Sequence, residues 1–287
     1  MSRHYLDHAS TSPARPEVVE AMLPWLSAAA DPGRVHAEGR AARVAIEEAR
    51  EKVAAFVGAR PREVVFTSGG TEAVNAATWG GSAARPGAAV VCAGVEHSAV
   101  RDASARHVVA PVAVDRFGRI EVEALIEILD QPGDAGPPAL VQCQWANHEV
   151  GTLQPVAEVV AHCRERGVLT HVDAAAAVGH VPVDFAAVGA DLLSLSAHKF
   201  GGPAGIGALL IRRGLRVAPL LVGGDQERAR RAGLENVAAI VGFGAACAAV
   251  DAVGATEAAT ASAQTQRVLS TALGLGGVVA YGDTDHR

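Results

Sequence analysis

Strand-like and helix-like segments alternate along most of the chain, and this alternation constrains the fold more than any other feature of the sequence. Short runs rich in Val, Ile and Leu are predicted as strands, and amphipathic helical patterns lie between most of them. The predicted strands are 63–68, 88–94, 108–114, 139–146, 168–174, 191–197 and 207–213. Strands that alternate with helices are typical of a parallel sheet covered on both faces. The sequence therefore predicts an α/β fold with a three-layer, doubly wound, mostly parallel sheet.

The C-terminal part of the chain has a different composition. Residues 237–272 are alanine-rich and predict a long helix, interrupted near Gly254, that leaves the main domain. The stretch GVVAYG, residues 277–282, is a candidate to open a second domain. The expected division is an N-terminal segment, a large α/β domain, and a linking helix with the start of a small C-terminal domain, at residues 1–15, 16–250 and 251–287.

Charge and cysteine usage exclude several classes of protein. The net charge of −6 argues against nucleic acid or an anionic membrane as the main partner. No run approaches the roughly 18 continuous apolar residues of a membrane span, and the N-terminus lacks the apolar region of a secretory signal. No metal is expected, because neither the histidines nor the cysteines have ligand spacing. The cysteines are predicted to be buried residues of a protein in the reducing cytoplasm, at Cys92, Cys143, Cys163 and Cys247.

The basic stretch QERARRAG, residues 226–233, has two interpretations. It is either a solvated loop or helix start, or a basic binding patch.

Polar residues follow the predicted strands where each strand ends, which is where ligands bind in open α/β sheets. The first strand leads into GGTEAVN, a glycine turn before a helix, whose N–H groups and Thr71 hydroxyl suit a single phosphate. No Gly-Lys-Ser/Thr follows, so a nucleotide P-loop is excluded. The later strands end near His97, Asn147, Asp173, Ser196, His198 and Lys199.

Each of these residues alone is explained by a structural role, but together they match the needs of one cofactor. Pyridoxal phosphate requires an amine for its Schiff base, a carboxylate for its ring nitrogen, a phosphate site and a flat group against its ring. Lys199, Asp173, the turn at Thr71 and His97 supply these four groups. Partial burial is expected to shift Lys199 toward the reactive free amine.

Several stretches match a known family in its order: REVVFTSGGTEAVN, VEHSAV, WANHEVGTLQPVAEV, HVDAAAAVGHVPVDF and SLSAHKFGGPAGIGALLIRR. With them, the sequence resembles the cysteine desulfurases, fold-type-I pyridoxal phosphate enzymes of the class V aminotransferase group. The resemblance covers nearly the whole chain. It implies the large domain of that fold, followed by only the start of the small C-terminal domain.

The resemblance also implies roles for the matching residues. Lys199 would hold the cofactor, Asp173 would pair with its ring nitrogen, and His97 would stack on the ring and relay protons. Asn147 would lie beside the cofactor and the substrate carboxylate. The phosphate would be held by Gly70, Thr71, Ser196 and His198. Members of the family are homodimers that convert L-cysteine to L-alanine and pass the sulfur through an enzyme-bound persulfide to an acceptor protein, as in iron–sulfur cluster assembly.

Three departures from the family pattern leave the reaction open. Ala176 stands where the family has a glutamine that donates to the cofactor ring hydroxyl, and Leu234 replaces a threonine that reaches the partner subunit's phosphate. The chain ends at YGDTDHR, before the family's nucleophilic cysteine, and none of its own cysteines matches that position. Three interpretations follow: a cysteine desulfurase without that loop, another enzyme of the family (selenocysteine lyase, cysteine-sulfinate lyase or an epimerase), or a catalytically degenerate dimerising homologue.

Overall fold

Within the part of the chain that the structure describes, seven strands form one central sheet. The structure is a computed structural model and describes residues 4–131, 133 and 135–287. The strand order is β1-β7-β6-β5-β4-β2-β3; β7 is antiparallel to β1 and β6, and the other pairs are parallel. The mostly parallel sheet is thus confirmed, and every strand falls within its predicted run. The strands are β1 (Val64–Thr67), β2 (Val90–Ala93), β3 (Val109–Val112), β4 (Leu140–Gln144), β5 (Leu169–Asp173), β6 (Leu192–Ser196) and β7 (Gly207–Ile211).

Helices cover both faces of the sheet and complete the three layers. They are α1 (Pro16–Leu26), α2 (Ala37–Phe56), α3 (Gly70–Ser82), α4 (Ser98–Ser104), α5 (Val122–Asp130), α6 (Val156–Glu165), α7 (Phe185–Val188), α8 (Gln226–Ala229) and α9 (Val237–Leu273). Alternate residues of the central strands face opposite layers. On β6, Leu193 and Leu195 join the larger core with α2, α6 and α9, whereas Leu192 packs toward α3. This double burial explains the nearly continuous apolar runs in the strands.

The long C-terminal helix corrects one expectation from the sequence. α9 continues through Gly254 without interruption, because a single glycine costs a helix only about 1 kcal/mol relative to alanine and helix-forming neighbours compensate. The expected domain boundary at residue 250 therefore falls inside a helix, and the division itself remains a prediction. The segment 277–282 forms no strand in this part of the described chain. It runs irregularly to the C-terminal residues, where Asp283 N–H donates to Thr152 Oγ1 at 3.0 Å.

By length and composition alone, α9 would also qualify as a membrane-spanning helix. Over half of its most apolar window, 56%, is buried against the rest of the fold, as in the core helix of a globular domain. The absence of a membrane partner remains a prediction.

Candidate active site

The polar residues of β4, β5 and β6 lie on one face of the sheet, toward α3, at the carboxyl ends of the strands. The register pairs Gln144 with Asp173, and Asp173 with Ser194. A cavity of about 1390 Å³ opens at this edge. Every site residue predicted from the sequence lines it: Gly70, Thr71, His97, Asn147, Asp173, Ser196, His198 and Lys199.

The glycine turn between β1 and α3 packs closely on the neighbouring strands. Gly69 has φ +152°, a conformation that residues with a side chain rarely adopt. A Cβ on Gly70 would lie 3.2 Å from Ser196 Cβ, and one on Gly207 only 2.6 Å from the Gly69 carbonyl carbon. Glycine at these positions therefore lets the start of α3, with Thr71, lie directly beside the end of β6 and the beginning of β7. A helix start in this position suits an anion.

Asp173 is oriented through one of its two carboxylate oxygens. Its Oδ1 accepts hydrogen bonds from Ser194 Oγ and from the Ala175 N–H, both at 3.0 Å. Oδ2 accepts no hydrogen bond from the residues described. The side chain is thus fixed in position while one oxygen remains free to accept a donor in the cavity. Ser194 was not among the site residues predicted from the sequence, because a serine inside a buried strand carries no signal of this role.

Lys199 lies in the 3₁₀ turn Ala197–Phe200 that follows β6. Burial lowers the pKa of its amine, and the opposing attraction of Asp173 and Asp7 does not cancel this effect. The shift has the direction expected from the sequence. The Nζ donates a hydrogen bond to the Ala9 carbonyl oxygen at 2.6 Å.

The N-terminal segment contributes directly to this edge of the site, which sequence analysis missed. The Ser12 N–H donates to the His198 carbonyl oxygen at 2.8 Å. The His198 Nδ1 lies 3.1 Å from Thr11 Oγ1. Burial and the nearby Lys199 charge lower the pKa of His198. Residues 9–12 therefore hold the lysine-bearing turn in place, although they are about 190 positions away in the chain.

His97 caps the N-terminus of α4, and its Nδ1 accepts the Ala99 N–H at 3.1 Å. The neutral ring therefore carries its hydrogen on Nε2. Its centroid lies 5.0 Å from that of His148 at an interplanar angle of 67°. Burial and the neighbouring His97 lower the pKa of His148, so this second imidazole favours its neutral form.

Asn147 uses its side-chain amide to organise the cavity wall. Its Nδ2 donates to the Val95 carbonyl oxygen at 3.1 Å, and its Oδ1 accepts the N–H groups of Glu149 and Val150 at 2.9 Å each. These bonds fix the loop after β4. A direct contact of Asn147 with a substrate carboxylate remains a prediction.

These donor and acceptor groups fit pyridoxal phosphate. The cavity combines an amine of lowered pKa, a carboxylate with a free oxygen, a glycine turn at a helix start and a neutral imidazole. Ala176 also lines it and offers no donor, and Leu234 is 64% exposed. No group of acidic, histidine or cysteine side chains suited to a metal ion occurs within the described ranges.

A sheet of this topology, with such a cavity at its edge, defines the fold-type-I class of pyridoxal phosphate enzymes. The family model for class-V aminotransferases matches residues 4–287, and the chain belongs to that family.

Individual relatives agree with this assignment. Cysteine desulfurase IscS of Dictyoglomus turgidum is 43% identical over 250 residues, which cover 84% of this chain and 62% of the relative. A solved NifS-like protein superposes with a TM-score of 0.91 at 31% identity, covering 98% of this chain and 78% of that one. A structure of SspA in complex with cysteine has a TM-score of 0.81 at 32% identity, with coverage of 86% and 72%. The chain spans 61–64% of the length of three such desulfurase sequences, less than two thirds.

Proposed function

We propose that this chain is the cofactor-binding part of a cysteine desulfurase-like enzyme, which converts L-cysteine to L-alanine and transfers the sulfur to an acceptor. The observation that carries the proposal is that Lys199 and Asp173 line one cavity, together with the glycine turn before α3. The names of the relatives support this reaction, and the cysteine complex of SspA supports cysteine as the substrate.

The side chains around the cavity have separate tasks. Lys199 presents an amine with a larger neutral fraction than an exposed lysine, and the neutral amine is the nucleophilic form. Asp173 would hold the ring nitrogen of the cofactor, because its Oδ2 is free to accept a hydrogen bond and its carboxylate would stabilise the protonated nitrogen. His97 holds its exchangeable proton at Nε2. When bound, pyridoxal phosphate supplies an aldehyde for amines and a ring that withdraws electrons from the adjacent carbon.

The thiols of the described chain favour a second candidate reaction. Burial raises the pKa of Cys92 and of Cys163 to about 12, and it also raises the pKa of Cys143 and of Cys247. All four cysteines are buried. Because the thiolate is the nucleophile, none of them suits sulfur transfer at neutral pH. A family reaction that needs no thiolate from this chain, such as selenocysteine or cysteine-sulfinate lyase activity or epimerisation, is therefore the second candidate.

We also propose a homodimer, a sulfur-acceptor protein in iron–sulfur assembly and a cytoplasmic location. The desulfurase names of the relatives and the family membership support the first two proposals, and the four free, buried thiols support a reducing compartment such as the cytoplasm. The alternative of a degenerate homologue is disfavoured by Lys199, Asp173 and the glycine turn, which all line the cavity.

The test compares the wild-type protein with Lys199→Ala after incubation with pyridoxal phosphate. We expect a visible absorption band in the wild type that is absent in the variant, and alanine release from L-cysteine in the presence of added thiol that depends on Lys199. Turnover of selenocysteine or cysteine sulfinate with none of cysteine would support the second candidate. A wild-type protein that takes up no cofactor would overturn both and support the degenerate homologue.

A further inference from the structure

Strands β2 and β4 separate before they reach the cavity. They pair at Val90 with Leu140 and at Val91 with Val141, whereas β4 pairs with β5 as far as Gln144 and Asp173. The Gln144 N–H therefore lies beyond the β2–β4 ladder. It is bound instead by a side chain, because it donates to Glu96 Oε1 at 2.8 Å.

Glu96 belongs to the turn of residues 94–97 that joins β2 to α4. Its side chain is buried, with 3% exposed, and it directly precedes His97. Two further hydrogen bonds join the same turn to the end of β4, because the Val95 carbonyl oxygen accepts Gln144 Nε2 at 3.0 Å and Asn147 Nδ2 at 3.1 Å. Gln144 is in turn the register partner of Asp173. The turn that carries His97 is thus connected to Asp173 through Gln144.

We propose that Glu96 is a positioning residue that clamps the His97 turn to the end of β4 and so fixes the spacing between His97 and Asp173 across the cavity. The importance of that spacing for cofactor binding rests on the proposed function. The clamp itself rests only on the contacts of the cofactor-free chain.

The second oxygen of Glu96 indicates whether the clamp depends on a negative charge or only on an acceptor oxygen. Oε2 is buried without a hydrogen-bond partner among the described residues. Burial raises the pKa of Glu96 to about 8. The hydrogen bond from the Gln144 N–H opposes this rise, and the negative charge of Asp173 adds to it. The other ionisable groups that face Glu96 are the thiols of Cys92 on β2 and Cys143 on β4, whose pKa values are also raised. At neutral pH the clamp therefore needs an acceptor oxygen and no charge, which glutamine supplies and alanine does not.

The experiment compares Glu96→Ala and Glu96→Gln with the wild type and with Glu123→Ala, an exposed glutamate on α5 that serves as the control. The first measurement is hydrogen exchange of the Gln144 amide in the cofactor-free protein. We expect at least about tenfold faster exchange in Glu96→Ala, with wild-type protection in Glu96→Gln and in the control. Equal protection in all four proteins, or equal loss in both Glu96 variants, would overturn the clamp.

The second measurement is the affinity for pyridoxal phosphate together with the visible circular dichroism of the bound cofactor, which reports its orientation. We expect about tenfold weaker binding and a reduced dichroic band in Glu96→Ala, and restoration of both in Glu96→Gln. Unchanged affinity and dichroism in Glu96→Ala would overturn the positioning role. If Glu96→Ala does not fold, Glu96→Gln decides: wild-type exchange and dichroism support the proposal, and their loss contradicts it. If the wild type binds no cofactor, the proposed function fails, while the exchange measurement still tests the clamp.

Discussion

Glu227 and Glu96 are both almost completely buried, but their carboxyl groups have different partners. Glu227 is 5% exposed, forms a two-point ion pair with Arg50 at 2.6 and 2.7 Å, and accepts the Phe66 N–H at 2.9 Å. Glu96 is buried to a similar degree but has no cationic partner among the described residues, and its pKa is raised to about 8. Glu227 therefore has a buried cation beside its carboxyl group, whereas at Glu96 burial without a cation favours the neutral acid.

The ion pair also explains the basic stretch 226–233, for which sequence analysis left two interpretations. Its first turn is not a normal helix start, and it is solvated only in part, because Glu227 is buried while Arg228 and Ala229 are exposed. Glu227, Arg228 and Ala229 all have positive φ, at 48°, 60° and 59°. Such left-handed residues cost on the order of 1–3 kcal/mol each and persist only where the surroundings impose them. The pair with Arg50 and the bond from Phe66 are the contacts that impose this conformation. The sequence does not show this, because the three arginines of QERARR indicate an exposed basic stretch rather than a buried glutamate.

The largest expected effect comes from breaking the charged partnership. Glu227→Ala leaves the buried Arg50 with only the exposed carboxylate of Glu47 at 3.0 Å, and we expect the free energy of unfolding to fall by about 3–5 kcal/mol. Denaturant unfolding of the cofactor-free protein measures this change. The control is Glu257→Ala, which removes an exposed ion pair with Arg15 and is expected to cost less than about 1 kcal/mol. Similar losses in the two variants would mean that burial does not distinguish these pairs.

The next effect is a pH dependence of stability that depends on Glu96 being protonated in the fold. The pKa of a glutamate is about 4.3 in an unfolded chain, whereas burial raises the pKa of Glu96 in the fold to about 8. Between these values the unfolded state binds fewer protons than the folded state, so the stability of the wild type falls as pH rises, by at most about 1.4 kcal/mol per pH unit. Glu96→Gln lacks this contribution. We therefore expect the free energy of unfolding of Glu96→Gln, relative to that of the wild type, to increase from pH 5 to about pH 8 and then to stay constant. Parallel curves for the two proteins would show that Glu96 is not protonated in the fold.

The smallest effect concerns Asp173, a third acid, which lines the cavity with one carboxylate oxygen free. Ser194→Ala removes one of the two donors that orient Asp173 Oδ1, and we expect a loss of about 1 kcal/mol in binding of pyridoxal phosphate, which is about fivefold in affinity. The matched control is Ser82→Ala, because the Ser82 hydroxyl is buried without a hydrogen-bond partner in the described structure. Titration of the cofactor-free proteins measures both. Equal affinity in Ser194→Ala and Ser82→Ala would show that Ser194 does not support Asp173.

The sequence predicts those parts of the molecule that depend on local patterns. The strands were found because β-branched runs mark them, and the residues after them were expected together because parallel strands end at one edge. Contacts between distant segments were not predictable. Nothing in the sequence near Ala9 indicates that its carbonyl oxygen accepts a hydrogen bond from Lys199. The sequence gives no signal for Glu96 either, because its neighbour His97 has the more recognisable side chain. The interruption predicted near Gly254 is absent from α9, because the surrounding alanine-rich segment is strongly helix-forming.

The hydrogen bond from Lys199 to Ala9 has a consequence for how the cavity is filled. The amine spends one of its N–H groups on a peptide carbonyl. Joining its nitrogen to an aldehyde carbon would remove N–H hydrogens as water leaves, so the bond to residue 9 would be given up. Residues 11 and 12 would still keep the N-terminal segment on the turn through their bonds to His198.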